Sequence, residues 1–256
     1  MAATDQDEQE RTQRSAAPAP ARTPRGRGPV ATAVMVFGEL LITTGLVLGL
    51  FVVYSLWWTN VLADREAQKQ GDAVRDEWAA EEGGTGTGDT GPVELDTKDG
   101  IGFLHVPAMG EEDILVKQGT DLETLNDGVA GYYIDPVKSA LPEDDKGNFS
   151  LAAHRDGHGA KFHNIHKLDE GDAIVFESKD NWYIYKVYAK LPETSKYNVD
   201  VLNAVPEASG AKKPGRYITL TTCTPVYTSK YRYIVWGELE RVEKVDSRRT
   251  PPEELR

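Results

Sequence analysis

The sequence predicts an all-β domain held by one N-terminal transmembrane helix, and three observations carry that prediction. The first is an apolar run of 29 residues, Val30 to Trp58, whose only charge is Glu39. The second is a series of short segments rich in β-branched and aromatic residues, spaced by turn residues, in the C-terminal part of the chain. The third is the lack of long helical segments between them, which argues against a parallel α/β sheet and for a barrel or a sandwich.

Taken in order, residues 1–29 form a tail rich in Ala, Pro, Gln and Arg, with no apolar periodicity, and are expected to be disordered. The apolar run 30–58 exceeds the roughly 20 residues that a helix needs to cross a bilayer core. Tyr54, Trp57 and Trp58 close it with rings suited to a membrane interface, and Glu39 then falls near the opposite face. A cleaved signal peptide fits less well, because its apolar region would be about 7–15 residues. Arg22, Arg25 and Arg27 precede the run, and Asp64 and Glu66 follow it. The positive-inside rule therefore puts the N-terminus in the cytoplasm and the rest of the chain outside the cell, as a single-pass protein of the cell membrane. Residues 59–92 read as a stalk of helix-forming composition followed by a Gly-rich linker, EEGGTGTGDTGP.

A compact domain is expected over 93–245, with 246–256 as a C-terminal tail. Its strands are expected at Ile101–Val106, Ile114–Lys117, Phe149–Ala153, Ala173–Glu177, Trp182–Leu191, Tyr217–Thr222 and Tyr231–Leu239, seven or eight in all. Asp121–Asn126 and Val201–Val205 are candidates for short helices. WYIYKVY, residues 182–188, is bulky on both faces, as suits a strand lying between the core and a covering loop.

The chain carries 41 acidic and 29 basic residues, for a net charge of -12, and shows no basic stripe, so nucleic-acid binding is not expected. The tail, with four acids and five bases, contributes +1, which leaves -13 on the remainder. One cysteine excludes an internal disulfide.

Four of the five histidines, His154, His158, His163 and His166, fall within HRDGHGAKFHNIH. The cluster raises a metal site, but the HExxH glutamate is missing and Gly157 and Gly159 oppose a helix, so no metal is expected. Cys223 ends an apolar strand, and Pro225 cannot donate a ladder hydrogen bond, so the strand should stop near Cys223 and present the thiol at a sheet rim. A lone cysteine is often a small buried hydrophobe, but an unpaired thiol outside the cell risks oxidation. A nucleophilic thiol needs a proton acceptor and an oxyanion donor. With residues 224–230 as a turn, a hairpin returns Arg232 to within a few residues of the thiol; from geometry alone an exposed strand arginine fits equally well. Two readings from other classes stand beside catalysis: a metal-binding module built on the histidine patch, and a non-catalytic tethered β domain with a buried thiol.

TLTTCTP at 219–225, LAAHRDG at 151–157 and the arginine of YRYIV resemble the three active-site segments of sortases, the extracellular cysteine transpeptidases of Gram-positive bacteria. The Gly147-Asn-Phe lead, the Leu168–Asp172 turn and the Trp182 strand resemble the same family in order and spacing. The likeness spans about 93–245, and the cysteine context with the anchor most resembles class E sortases of actinobacteria. It implies an eight-stranded β-barrel with short helices, in which Cys223, His154 and Arg232 are catalytic. It further implies cleavage of an LAXTG-like sorting signal between Thr and Gly, then transfer of the surface protein to a cell-wall peptide amine, with no cofactor. Ala153 stands where relatives usually have glycine. Tyr132 stands where relatives commonly have histidine, so Tyr132 or Tyr133 is expected to contact the signal. Thr222, beside the nucleophile, is expected either to bond the substrate or only to pack.

Overall fold

The computed structural model describes residues 28–83 and 100–256. The tail up to residue 27, the linker over 84–92 and the expected domain start near Val93 lie outside the described residues.

Helix α1, Pro29–Gly83, is one continuous helix of 55 residues. Pro29 suits its first turn, where no intrahelical N–H bond is lost. Within the apolar run two hydroxyls bond back to carbonyls one turn earlier, Thr43 to Glu39 and Ser55 to Phe51, each at 2.8 Å, which satisfies them within the helix. Among the described residues this is the helix long and apolar enough to cross a membrane. Past Trp58 its character changes. Ala63, Ala67, Val74 and Trp78 recur on one face and are buried. Ala67, Val74 and Trp78 pack with Phe103, Leu115 and Val129, so the stalk is docked on the β domain.

Eight strands follow: β1 (Gly102–Val106), β2 (Glu111–Gln118), β3 (Ala130–Tyr132), β4 (Gly147–Ala152), β5 (Ala173–Glu177), β6 (Asn181–Ser195), β7 (Arg216–Thr224) and β8 (Tyr231–Lys244). They close into a barrel in the order β1-β2-β3-β4-β7-β8-β6-β5. Two neighbouring pairs are parallel, β2 with β3 and β4 with β7, and the others are antiparallel. The β3 strand, only three residues long, is too brief to leave an alternating pattern, so its sequence gives no strand signal. By contrast β6 and β8 outrun their apolar stretches, ending at Ser195 and Lys244, because they pair with each other beyond the core. Helix α2, Leu122–Asn126, is capped by Asp121, whose Oδ1 accepts the Thr124 N–H at 3.0 Å. The candidate helix at Val201–Val205 is a single tight turn over Val199–Leu202.

Strand alternation sorts the WYIYKVY side chains. Tyr183, Tyr185 and Val187 enter the central core with Leu151, Ile218 and Leu220. Trp182 and Ile184 face outward, where Val245 and Leu255 cover them. The C-terminal residues are therefore packed rather than loose, and Arg241 holds both Glu254 carboxylate oxygens at 2.7 and 2.8 Å.

Candidate active site

The β7–β8 hairpin builds the first half of the site. Its register sets Cys223 directly opposite Arg232, with Thr224 opposite Tyr231, so β7 runs one residue past the expected stop. Directly opposed residues carry their side chains on the same face, with Cβ atoms about 4.5–5.5 Å apart. Cys223 is half-buried and free. Arg232 Nη1 donates to the carbonyls of Ser229 at 3.2 Å and Tyr231 at 3.0 Å, which steadies the guanidinium over the turn.

The second half comes from the parallel partner. β4 runs alongside β7 with Ala152 opposite Thr221, so both strands leave the barrel at the same end. Ala153 N–H still donates to Thr221 O at 3.3 Å, and His154 follows at once. His154 is half-buried, and its Nε2 meets Asn126 Oδ1 at 2.9 Å, at the end of α2. That contact makes Nε2 the protonated nitrogen of the neutral ring and leaves Nδ1 without a partner among the described residues. Burial pushes the His154 pKa below its ordinary value, His158 pushes the same way, and Asp156 opposes them.

Residues between the two halves fix their spacing. Thr222, buried, donates its hydroxyl to Ala153 O at 2.7 Å, so it pins β7 to the histidine segment and points away from the thiol face. Arg155 is buried, and its Nη1 donates to Thr224 Oγ1 at 2.8 Å and to Cys223 O at 3.3 Å. Asp156 Oδ2 accepts the Tyr227 N–H at 2.6 Å, tying the histidine loop to the β7–β8 turn.

The two tyrosines part company by the same alternation. Tyr132 lies in the barrel core with its hydroxyl on Gln118 Oε1 at 3.0 Å. Tyr133 faces outward, where its hydroxyl meets Thr221 Oγ1 at 2.9 Å. Tyr133 and Thr221 line a groove with Arg232, Ile234, Val199 and Leu202. Burial raises the Tyr133 pKa, so the phenol stays protonated at neutral pH. Asn126, Arg155 and Thr221 have no motif of their own. Arg155 follows the histidine and Thr221 sits two residues before the cysteine, on its face; those were the available signals.

The histidine patch does not converge. His154 and His158 have ring centroids 5.5 Å apart, His163 Nδ1 donates to Arg155 O at 2.9 Å, and His166 is exposed. A different trio, His105, Asp113 and Glu177, brings its ligand-type atoms within 4.8 Å of one another. There Arg75 bonds both carboxylates and Arg249 Nε bonds Glu177 at 2.9 Å, so arginine cations already fill the place of a metal.

Comparison with known proteins adds the following. The family profile described as Sortase domain matches residues 104–240. Sortase SrtE2 of Streptomyces coelicolor is 72% identical over 227 residues, which cover 88% of this chain and 89% of that protein. The crystal structure of Sortase E1 from Streptomyces coelicolor with a tripeptide in the active site superposes with a TM-score of 0.58 at 44% identity, covering 61% of this chain and 96% of that one. Sortase E from Streptomyces avermitilis gives a TM-score of 0.53 at 35% identity over 60% of this chain and 94% of its own.

Proposed function

This chain belongs to the sortase family of cysteine transpeptidases, and from that premise we propose that Cys223 is its nucleophile, His154 its proton carrier and Arg232 its oxyanion donor. The observation that carries the assignment is the strand register: Cys223 faces Arg232 across β7–β8, and His154 leaves the adjacent parallel strand at the same end. Family membership favours neither a metal-binding nor a non-catalytic reading.

In the first step the Cys223 sulfur attacks the Thr–Gly carbonyl of an LAXTG-like signal while His154 takes the thiol proton. The oxyanion that develops is met by Arg232 donors; Nη1 is engaged with backbone carbonyls, and Nε and Nη2 have no partner among the described residues. The C–N bond then breaks, His154 gives its proton to the departing glycine amine, and a thioester remains. In the second step His154 removes a proton from an amine of a cell-wall peptide, that nitrogen attacks the thioester, and the thiol is released with a new amide. The Asn126 contact supports Nδ1 as the nitrogen that carries the proton.

The groove beside Arg232 suits an extended peptide. Its apolar wall at Val199, Leu202 and Ile234 suits the leucine of the signal, and the Tyr133–Thr221 pair offers polar atoms in the same groove. Thr222 and Tyr132 are engaged inside the barrel and take no part in substrate contact in this reading. The domain acts outside the cell, with surface proteins bearing the signal as substrates, and α1 fixes it to the membrane.

The test is mass spectrometry of the protein with an LAXTG peptide and a small amine. The wild type is expected to show a mass shift for the peptidyl thioester and to form the amide product. Cys223→Ala loses both. Arg232→Lys keeps the charge but loses the planar fork, and is expected to lose at least about tenfold in kcat/KM. Turnover by Cys223→Ala, or wild-type turnover by Arg232→Lys, would overturn the respective role.

A further inference from the structure

We propose that the part of α1 just beyond the apolar run, Asn60 to Gln70, is a positioning element for His154. The inference rests on His154 being the proton carrier. His154 is held from two sides: at its backbone by its own loop, where Phe162 N–H donates to His154 O at 3.0 Å, and at its ring by the end of α2, where Asn126 Oδ1 accepts from Nε2. The same face of α1 grips both.

On the loop side, Asn60 Oδ1 accepts the Gly159 N–H at 3.1 Å, and Asp64 Oδ1 accepts from Lys161 Nζ at 2.8 Å. On the α2 side, Gln70 Nε2 donates to Asp127 Oδ2 at 3.1 Å, and Lys117 Nζ donates to Gln70 Oε1 at 2.9 Å. Asp127 is the residue after Asn126. Between these contacts the backbones touch. A Cβ on Gly128 would lie 2.9 Å from Ala63 O, and one on Gly159 would lie 3.0 Å from Asp64 Oδ1 and 3.2 Å from Gly128 Cα. Both glycines also have positive φ, 78° and 79°, a region in which side chains are strained. Three segments distant in sequence therefore meet where glycine alone fits, two residues after Asn126 and five after His154.

Part-exposed contacts of this kind contribute little to stability, because solvent screens them. Their effect is geometric, since small displacements of a proton-transfer group are costly in rate. Asn60 and Asp64 are thus positioning residues that act through the loop, and the stalk of this protein takes part in its chemistry as well as in its attachment.

The experiment uses the full chain in detergent micelles, a quenched fluorescent LAXTG peptide, and NMR titration of labelled histidine. Groups facing His154 are His158 and Asp156 from its loop and Asn126 from α2, and all stay in place. Asn60→Ala combined with Asp64→Ala is expected to lower kcat about tenfold with KM within about twofold. Its His154 titration should move up toward the ordinary histidine value, because a loosened loop readmits water. Both substitutions raise helix propensity, so a loss does not reflect melting of α1. Asn60→Asp with Asp64→Glu keeps both acceptors and should restore rate and titration. Single Asn60→Ala, which leaves the Asp64–Lys161 pair, should move both readouts the same way by less. Wild-type kcat and an unmoved His154 titration in the double alanine variant overturn the inference. Turnover by Cys223→Ala in the same assay would instead remove the reading it rests on.

Discussion

His154 shows how one charge is set by its surroundings. Burial lowers its pKa, the neighbouring His158 adds repulsion between cations, and Asp156 attracts the proton back. The acid limb of the kcat/KM profile, which follows the free enzyme's proton carrier, is therefore expected below the ordinary histidine value of about 6.5. His158→Gln removes a lowering influence and should move that limb up. Asp156→Asn removes a raising influence and should move it down, while its side-chain oxygen still accepts the Tyr227 N–H. Rates measured from pH 4 to 9 decide the matter; limbs that do not move, or that move in the opposite senses, would detach His154 from the profile. The proposed trio of Cys223, His154 and Arg232 has a signal in the sequence because each member sits inside a short contiguous segment. Its supports have none. Asn126 reaches His154 from 28 positions away, and Arg155 bonds the Cys223 carbonyl across 68. Tyr132 and Tyr133 differ only by strand alternation, and the three-residue β3 gives too little pattern to reveal which faces out.

At the scale of elements, Glu177 at the end of β5 joins α1, β1 and the C-terminal segment. Its carboxylate is almost fully buried and receives Arg75 from α1, His105 from β1 and Arg249 from beyond β8. Asp113 N–H donates to His105 Nδ1 at 3.2 Å, so His105 presents Nε2–H to the carboxylate. Burial alone would raise the Glu177 pKa, but the hydrogen bonds from His105 and Arg75 outweigh it and hold the group at about 2. A carboxyl depressed in the folded state adds stability above its unfolded pKa, and that stability is lost as pH falls through the folded value. The drop from the ordinary 4.5 corresponds to about 3 kcal/mol, present at neutral pH and fading between about pH 4.5 and 2. Glu177→Gln should lose on that order at pH 7 and show a flatter acid branch in urea unfolding. An unchanged midpoint at pH 7 would refute the assignment. Little of this hub was legible beforehand: the stalk read as helical, but its docking depends on a stripe of small and aromatic residues, Ala63, Ala67, Val74 and Trp78, too sparse to distinguish from a free helix.

For the molecule as a whole, the apolar run divides α1 into two unlike parts along one helix. Its side chains from Val30 to Tyr54 are mostly exposed and apolar, whereas beyond Trp58 one face is buried against the β domain. Deleting residues 30–58 should move the protein from carbonate-washed membranes to the soluble fraction; retention in the membrane would show that another surface holds it. A long apolar helix followed by a β-rich segment is plain from composition. The closed barrel is less so, since alternation in single strands does not say which strands meet. The parallel pairing of β4 with β7 has a kinetic side. Gly147 pairs with Arg216 and Ala152 with Thr221, so the contact spans 69 positions of chain and must wait for loop closure during folding. Until those two strands zip together, the thiol and the imidazole are ordinary side chains on separate stretches of polypeptide. On the roles proposed for Cys223 and His154, the arrangement that the reaction needs therefore depends on a class of contact that forms slowly.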